Sequence, residues 1–236
     1  RKSRQHSQSA VSQISPTGWS MQAAGLAAVW AEANTRKAIV DAMQRKEIYA
    51  STGPRIRLRF FAGSDMSVDD LDAADWHAKL SAKAVPMGGD LMFATDTQPS
   101  FLVSASKDPL SANLDRIQIV KGWLNADGKA EEHVFDVVWS GNRQLVDGTL
   151  PAVAAQINPE TGEWDDSQGA ATLQALWQDP EFDPKQSAFY YVRVLQVPTP
   201  RHALLDAIAL GLDAPSVGSS VIQERAYSSP IWFKPQ

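Results

Sequence analysis

Between Arg55 and Phe61 the chain reads RIRLRFF, with Ile56, Leu58 and Phe60 on one side of a period-two alternation and Arg55, Arg57 and Arg59 on the other. A helix, turning every 3.6 residues, would scatter both sets, so the segment demands a strand with one buried and one polar face. Similar strands are predicted at Ser100–Ser106, Arg116–Lys121, His133–Trp139, Phe189–Val197 and Ile231–Phe233, and Asn125-Ala-Asp-Gly128 suits a hairpin tip between two of them. Helical spacing in this part of the chain is confined to Asp69–Lys83, Ala170–Trp177 and His202–Leu210. The expected fold is mainly β (α+β): an antiparallel β-sandwich with small helical insertions over residues 55–236. No repeat of fixed period is present, which argues against a propeller or solenoid.

Ahead of the sandwich, Ala23–Trp30 is a small-residue apolar run that reads as a buried strand running into a helix. Asn34 or Thr35 offers the N-cap oxygen, and Ala38, Ile39, Ala42 and Met43 recur on one buried face. Lys37, Asp41, Arg45 and Lys46 take the outer face, and Ser51-Thr-Gly-Pro54 stops the helix. Residues 19–54 thus form a single strand-helix unit. Residues 1–18, polar and locally basic, read as a flexible arm or linker.

The formal charge of -5, from 22 Lys+Arg against 27 Asp+Glu, gives no bulk attraction to nucleic acid or an anionic membrane. No apolar run reaches the roughly 18 residues of a transmembrane segment. The absence of cysteine removes disulfide scaffolds and thiolate metal sites, and favours a periplasmic or secreted protein.

His6, His77, His133 and His202 stand far apart and form no HxH, HxxxH or HExxH frame, so they are read as unconnected histidines. The acidic runs Asp65–Asp75 and Glu160–Asp166 lack EF-hand spacing and suit solvated loops or helical first turns. Gly88-Gly89-Asp90 fits neither phosphate-loop frame and is expected to be a tight turn. The Arg55, Arg57, Arg59 stripe reads as a solvated or salt-bridged strand face. Among eight tryptophans, Trp123, Trp139 and Trp232 lie in or beside apolar strands and are expected in the core. Trp76 and Trp164, in polar context, are the candidates for a carbohydrate-stacking platform.

Several segments carry a resemblance. Gly25-Leu-Ala-Ala-Val-Trp-Ala-Glu-Ala-Asn-Thr-Arg-Lys-Ala-Ile39 and Tyr49-Ala-Ser-Thr-Gly-Pro-Arg-Ile56 resemble the closing strand, last helix and exit of the barrel in PHP-like (polymerase and histidinol phosphatase) metal-dependent phosphoesterases. Pro86–Leu91, Leu114–Trp123, Phe189–Val194, Pro198–Arg201 and Gln223–Phe233 look like the C-terminal third of a large bacterial family of uncharacterised function. The likeness spans about Trp19 to Gln236. It implies a longer protein whose missing N-terminal barrel portion carries a divalent metal and is a partner of this chain; a homo-oligomer is another way to cover the helix. The family's HxH pair is absent here, and Gly63-Ser64-Asp65 is followed by Met66 without the expected histidine. No metal ligand transfers. The positions nearest the implied barrel site are Trp30, Glu32, Asn34 and Arg36, because loops after strands form the active face of such barrels. The resemblance therefore implies a chain without a complete active site: the C-terminal fragment or accessory sandwich of a PHP-like hydrolase. The alternative is a non-catalytic binding module for carbohydrate or a partner protein.

Overall fold

Period-two segments have to pair with one another, and here they do so in two large stacked sheets and a separate two-stranded one. The computed structural model describes residues 25–73, 75–93, 98–154, 156–213 and 219–235. The first part of the chain forms β1 (Leu26–Val29), α1 (Arg36–Gln44), β2 (Ile48–Ser51), β3 (Arg57–Gly63), a 3-10 turn (Val68–Leu71), α2 (Trp76–Lys83), β4 (Ala84–Pro86) and β5 (Asp90–Phe93). There follow β6 (Ser100–Ser106), β7 (Leu114–Leu124), β8 (Ala130–Trp139), β9 (Thr172–Gln178), β10 (Ala188–Gln196), β11 (Thr199–Pro200), α3 (His202–Leu210), β12 (Val221–Ile222), β13 (Arg225–Ser228) and β14 (Ile231–Pro235). The expected arm at 1–18, with His6, lies outside the described residues, as does Trp19.

One sheet is the antiparallel order β4-β3-β6-β9. The other has eight strands built around β10, which pairs with β7 along one edge and shares its other edge between β13 and β14. Pro230, which has no N–H to give, falls at the break between those two strands. At the same break the Ser228 hydroxyl accepts the Val192 N–H at 2.9 Å, so that buried donor keeps a partner where the pairing passes from one strand to the other. β8 flanks β7, β2 and β1 extend from β13, and β5 joins β14 in parallel.

The mainly-β sandwich is the architecture expected from the sequence. Ile56, Leu58 and Phe60 are 0–1% exposed and face Val192 and Val194 of the opposite sheet, within a core that includes Phe101, Val103, Ile117, Ile119 and Tyr190. Each such side chain contributes about 1.5–3 kcal/mol by leaving water. Phe101 stacks on Phe60 and sits 4.4 Å from Tyr190, tying the two sheets together. The hairpin tip is formed as expected, with Gly128 at φ 73° and the Asn125 side-chain oxygen accepting from the Asp127 and Lys129 amides.

Three local expectations change. Ala170–Trp177, read as helical, becomes strand β9, because all seven of its residues pair with β6 while Leu173, Ala175 and Trp177 turn towards the core. Ala23–Trp30 is not a buried strand in its described part: β1 is an edge strand and Leu26 is 42% exposed. Asp69–Lys83 divides in two: a capping box of Ser67 and Asp70 starts the 3-10 turn, Asp72 closes it, and α2 begins only at Trp76.

The described part of residues 19–54 is hydrogen-bonded into the sandwich, because β2 pairs with β13. Thr35, rather than Asn34, caps α1, accepting the Ala38 N–H at 3.2 Å. Of the anticipated helical face, Ala42 is buried and Ala38 and Ile39 are half-buried, but Met43 is 50% exposed.

Candidate functional site

The arginine stripe of β3 does not behave uniformly. Arg55 and Arg57 are exposed, as expected, whereas Arg59 is half-buried and forms no ion pair among the described residues. Its guanidinium carbon lies 3.2 Å from the ring centroids of both Trp30 and Trp76. Two of the candidate residues, separated by the whole of β3, are thereby brought together on one cation. The Trp30 indole N–H is fixed by donating to the Leu58 carbonyl at 2.8 Å, and Tyr49 stacks against the same ring. Phe61 meets Trp76 edge-on at 6.1 Å. Burial among these rings pulls the Arg59 guanidinium down to about 9. Beside the clamp, Glu47, Phe60 and Met87 help to enclose a cavity of about 10 Å³, room for roughly one water.

The other candidates do not join this cluster. Glu32, Asn34 and Arg36 are exposed around the start of α1, and among the described residues their side chains form no hydrogen bond. Trp164 is 39% exposed on an irregular segment bridged to Ile157 and belongs to no aromatic contact of the clamp. No group of three or more His, Cys, Asp or Glu among the described residues is arranged to hold a metal ion. Three acids of those runs are committed elsewhere: Asp70 to the capping box and Lys83, Asp75 to Lys79, and Asp166 to Lys107. His133 pairs with Glu181 at 2.8 Å and stacks on Phe135. Gly88-Gly89 is the anticipated turn, with Gly88 at φ 91° packed so tightly on Lys46 that a Cβ would fall 2.3 Å from its carbonyl oxygen.

A second aromatic surface went unread in the sequence. Trp232, expected in the core, is 43% exposed, because Ile231 and Phe233 point inward and place it on the outer face. Strict alternation within Ile231–Phe233 was the signal that could have found it. Trp232 and Phe189 lie 5.1 Å apart, and the Phe189 ring covers Gly122, where a Cβ would be only 2.3 Å from the ring. With Trp123, Leu124, Glu131 and Glu132 they line a groove of about 490 Å³.

Buried charges elsewhere serve to hold the sheets. Lys121, 3% exposed, pairs with the fully buried Asp179 at 2.7 Å and donates to the Glu181 carbonyl. The Tyr190 hydroxyl donates to the same Asp179 at 2.8 Å, and its phenol is raised by burial and then by that carboxylate. At the opposite end of β7, Asp115 receives Arg116 at 3.0 Å, Arg143 at 2.6 Å and the Gln223 amide at 3.1 Å. Arg116 continues to the Leu150 and Pro151 carbonyls, stitching that loop to the sheet.

Fold and surface together define a two-sheet β-sandwich with an internal tryptophan–arginine clamp and an exposed aromatic shelf. The family described as "Protein of unknown function (DUF3604)" matches residues 1–235, and the chain belongs to it. No curated protein and no solved structure matches the chain.

Proposed function

We propose that the chain is the accessory β-sandwich of a PHP-like, phosphoesterase-type metal-dependent hydrolase, packed through α1 against a catalytic barrel that holds the divalent metal. The observation that carries this reading is the uncovered apolar side of α1, where Val40 is 44% and Met43 50% exposed. A helix this short draws its stability from packing, so such a face calls for cover. The segments resembling a barrel's closing strand and helix, Gly25–Ile39 and Tyr49–Ile56, support the same partner. Purified chain supplied with Mn²⁺ or Zn²⁺ is expected to leave p-nitrophenyl phosphate intact, and a protein that includes the upstream barrel is expected to hydrolyse it. Metal-dependent turnover by the chain alone contradicts the reading.

The exposed shelf favours a second reading, a carbohydrate-binding module. Trp232 and Phe189 offer ring faces to a sugar, and Glu131 and Glu132 offer acceptors to its hydroxyls. This reading moves the weight from Trp76, already engaged with Arg59, and from the isolated Trp164 to Trp232. On a glycan array, Trp232→Ala is expected to abolish a signal that Trp76→Ala or Trp164→Ala leaves standing; the reverse pattern restores the original candidates.

A further inference from the structure

We infer that the groove between β2 and the start of β3 is a binding site for a carboxylate-bearing sugar, held by Arg55 and Arg57. The groove measures about 530 Å³, within the range that holds one or two sugar rings. Tyr49, Ser51, Arg55, Arg57, Asp108 and Leu110 are among its walls. Most arginines with a partner spend their charge on one: Arg45 on Glu47, Arg116 and Arg143 on Asp115, Arg193 on Gln118. Arg55 and Arg57, like the exposed Arg36, have no such partner among the described residues, but these two share one opening. Among the described residues neither guanidinium forms a hydrogen bond or an ion pair, and both are exposed at this opening.

The neighbouring acid does not cancel them. Asp108 attracts Arg55 through space, but its oxygens accept the backbone amides of Arg55 at 2.7 Å and Leu110 at 2.9 Å. The first bond ties the turn to the segment leading into β3, and the second shapes the turn itself. A carboxylate has more acceptor positions than two bonds use, so Asp108 can still receive a ligand hydroxyl. Ser51, largely buried, closes the floor between Tyr49 and Arg55. Leu110, 86% exposed, and the Tyr49 ring add apolar surface.

The chemistry of the walls selects the ligand class. Two guanidiniums two residues apart match a planar carboxylate, to which arginine bonds in a bidentate fork. An inorganic anion would use the cations and waste the apolar wall. A neutral sugar would use the apolar wall and Asp108 and leave both cations unpaired. An acidic sugar uses all three. The site stands apart from the Trp232 shelf and depends on neither reading of the previous section.

Isothermal titration of the full chain with digalacturonic acid, digalactose and inorganic phosphate tests the assignment. Saturable binding of digalacturonic acid is expected, weakening as salt rises, with digalactose and phosphate at least about tenfold weaker. Replacing both cations together, Arg55→Gln with Arg57→Gln, is expected to weaken binding by about tenfold or more while leaving the melting temperature unchanged, because both side chains are exposed. Lys185→Gln, an exposed cation outside the groove, is expected to have no effect. Absence of saturable binding, equal binding of phosphate, or full binding by the double variant overturns the proposal.

Discussion

A guanidinium held 3.2 Å from two indole centroids has exchanged water for π faces, and that exchange fixes what Arg59 can do. Trp76→Ala is expected to cost about 1–3 kcal/mol, and Arg59→Lys, which keeps charge but loses planarity, about 1 kcal/mol; urea unfolding measures both. Lys121→Met leaves Asp179 charged and unpaired in the core and is expected to cost about 3–5 kcal/mol. Alkaline pH separates two further residues. Tyr190 holds its proton in the fold beyond its ordinary value, so the unfolded chain ionises first near pH 10 and this group's contribution falls as pH rises above that. Arg59, lowered to about 9, acts in the opposite sense, because the fold releases its proton while the unfolded chain still holds one. Tyr190→Phe is therefore expected to flatten the loss of stability above about pH 10 in urea melts repeated across pH. A steeper loss in the variant contradicts the assignment. The alternation that makes Arg59 an outward residue was legible in RIRLRFF. Its capture by Trp30 and Trp76 was not, since nothing local in the sequence brings those rings to one cation.

Among the elements, β3 declared itself by the alternation of Arg55 to Phe60 and the β7–β8 hairpin by its Asn-Ala-Asp-Gly tip. β9 did not, because Leu-Gln-Ala-Leu carries good helix formers and only pairing with β6 makes it extended. Trp232 was misplaced because an apolar strand was read as uniformly buried, when β14 has one inward and one outward side. Gly122 belongs to this scale as well. Gly122→Val would drive the Phe189 ring off the sheet, with an expected cost of about 1–3 kcal/mol and loss of the groove beside Trp232. Near-ultraviolet circular dichroism and a melting curve read the two effects. Thr35→Ala, which removes the cap of α1, is expected to cost about 1 kcal/mol, seen as faster amide exchange in that helix.

For the whole molecule, the two sheets share one core and are held by buried polar braces. Acid weakens one of those braces. The Arg55 and Leu110 amides hold the Asp108 carboxyl below its ordinary range, so its contribution is present above the unfolded value near pH 3.9 and is lost as pH falls through the lower folded one. What the sandwich leaves uncovered is the Val40 and Met43 side of α1, and the proposed role as the accessory part of a larger hydrolase turns on what covers it. Hydrogen exchange of the α1 amides, Arg36–Gln44, compared between the isolated chain and a protein that includes the upstream barrel, puts the question directly. The account predicts that these amides become markedly slower in the longer protein while those of β7 and β10 stay as they are. Equal exchange of α1 in both would contradict it.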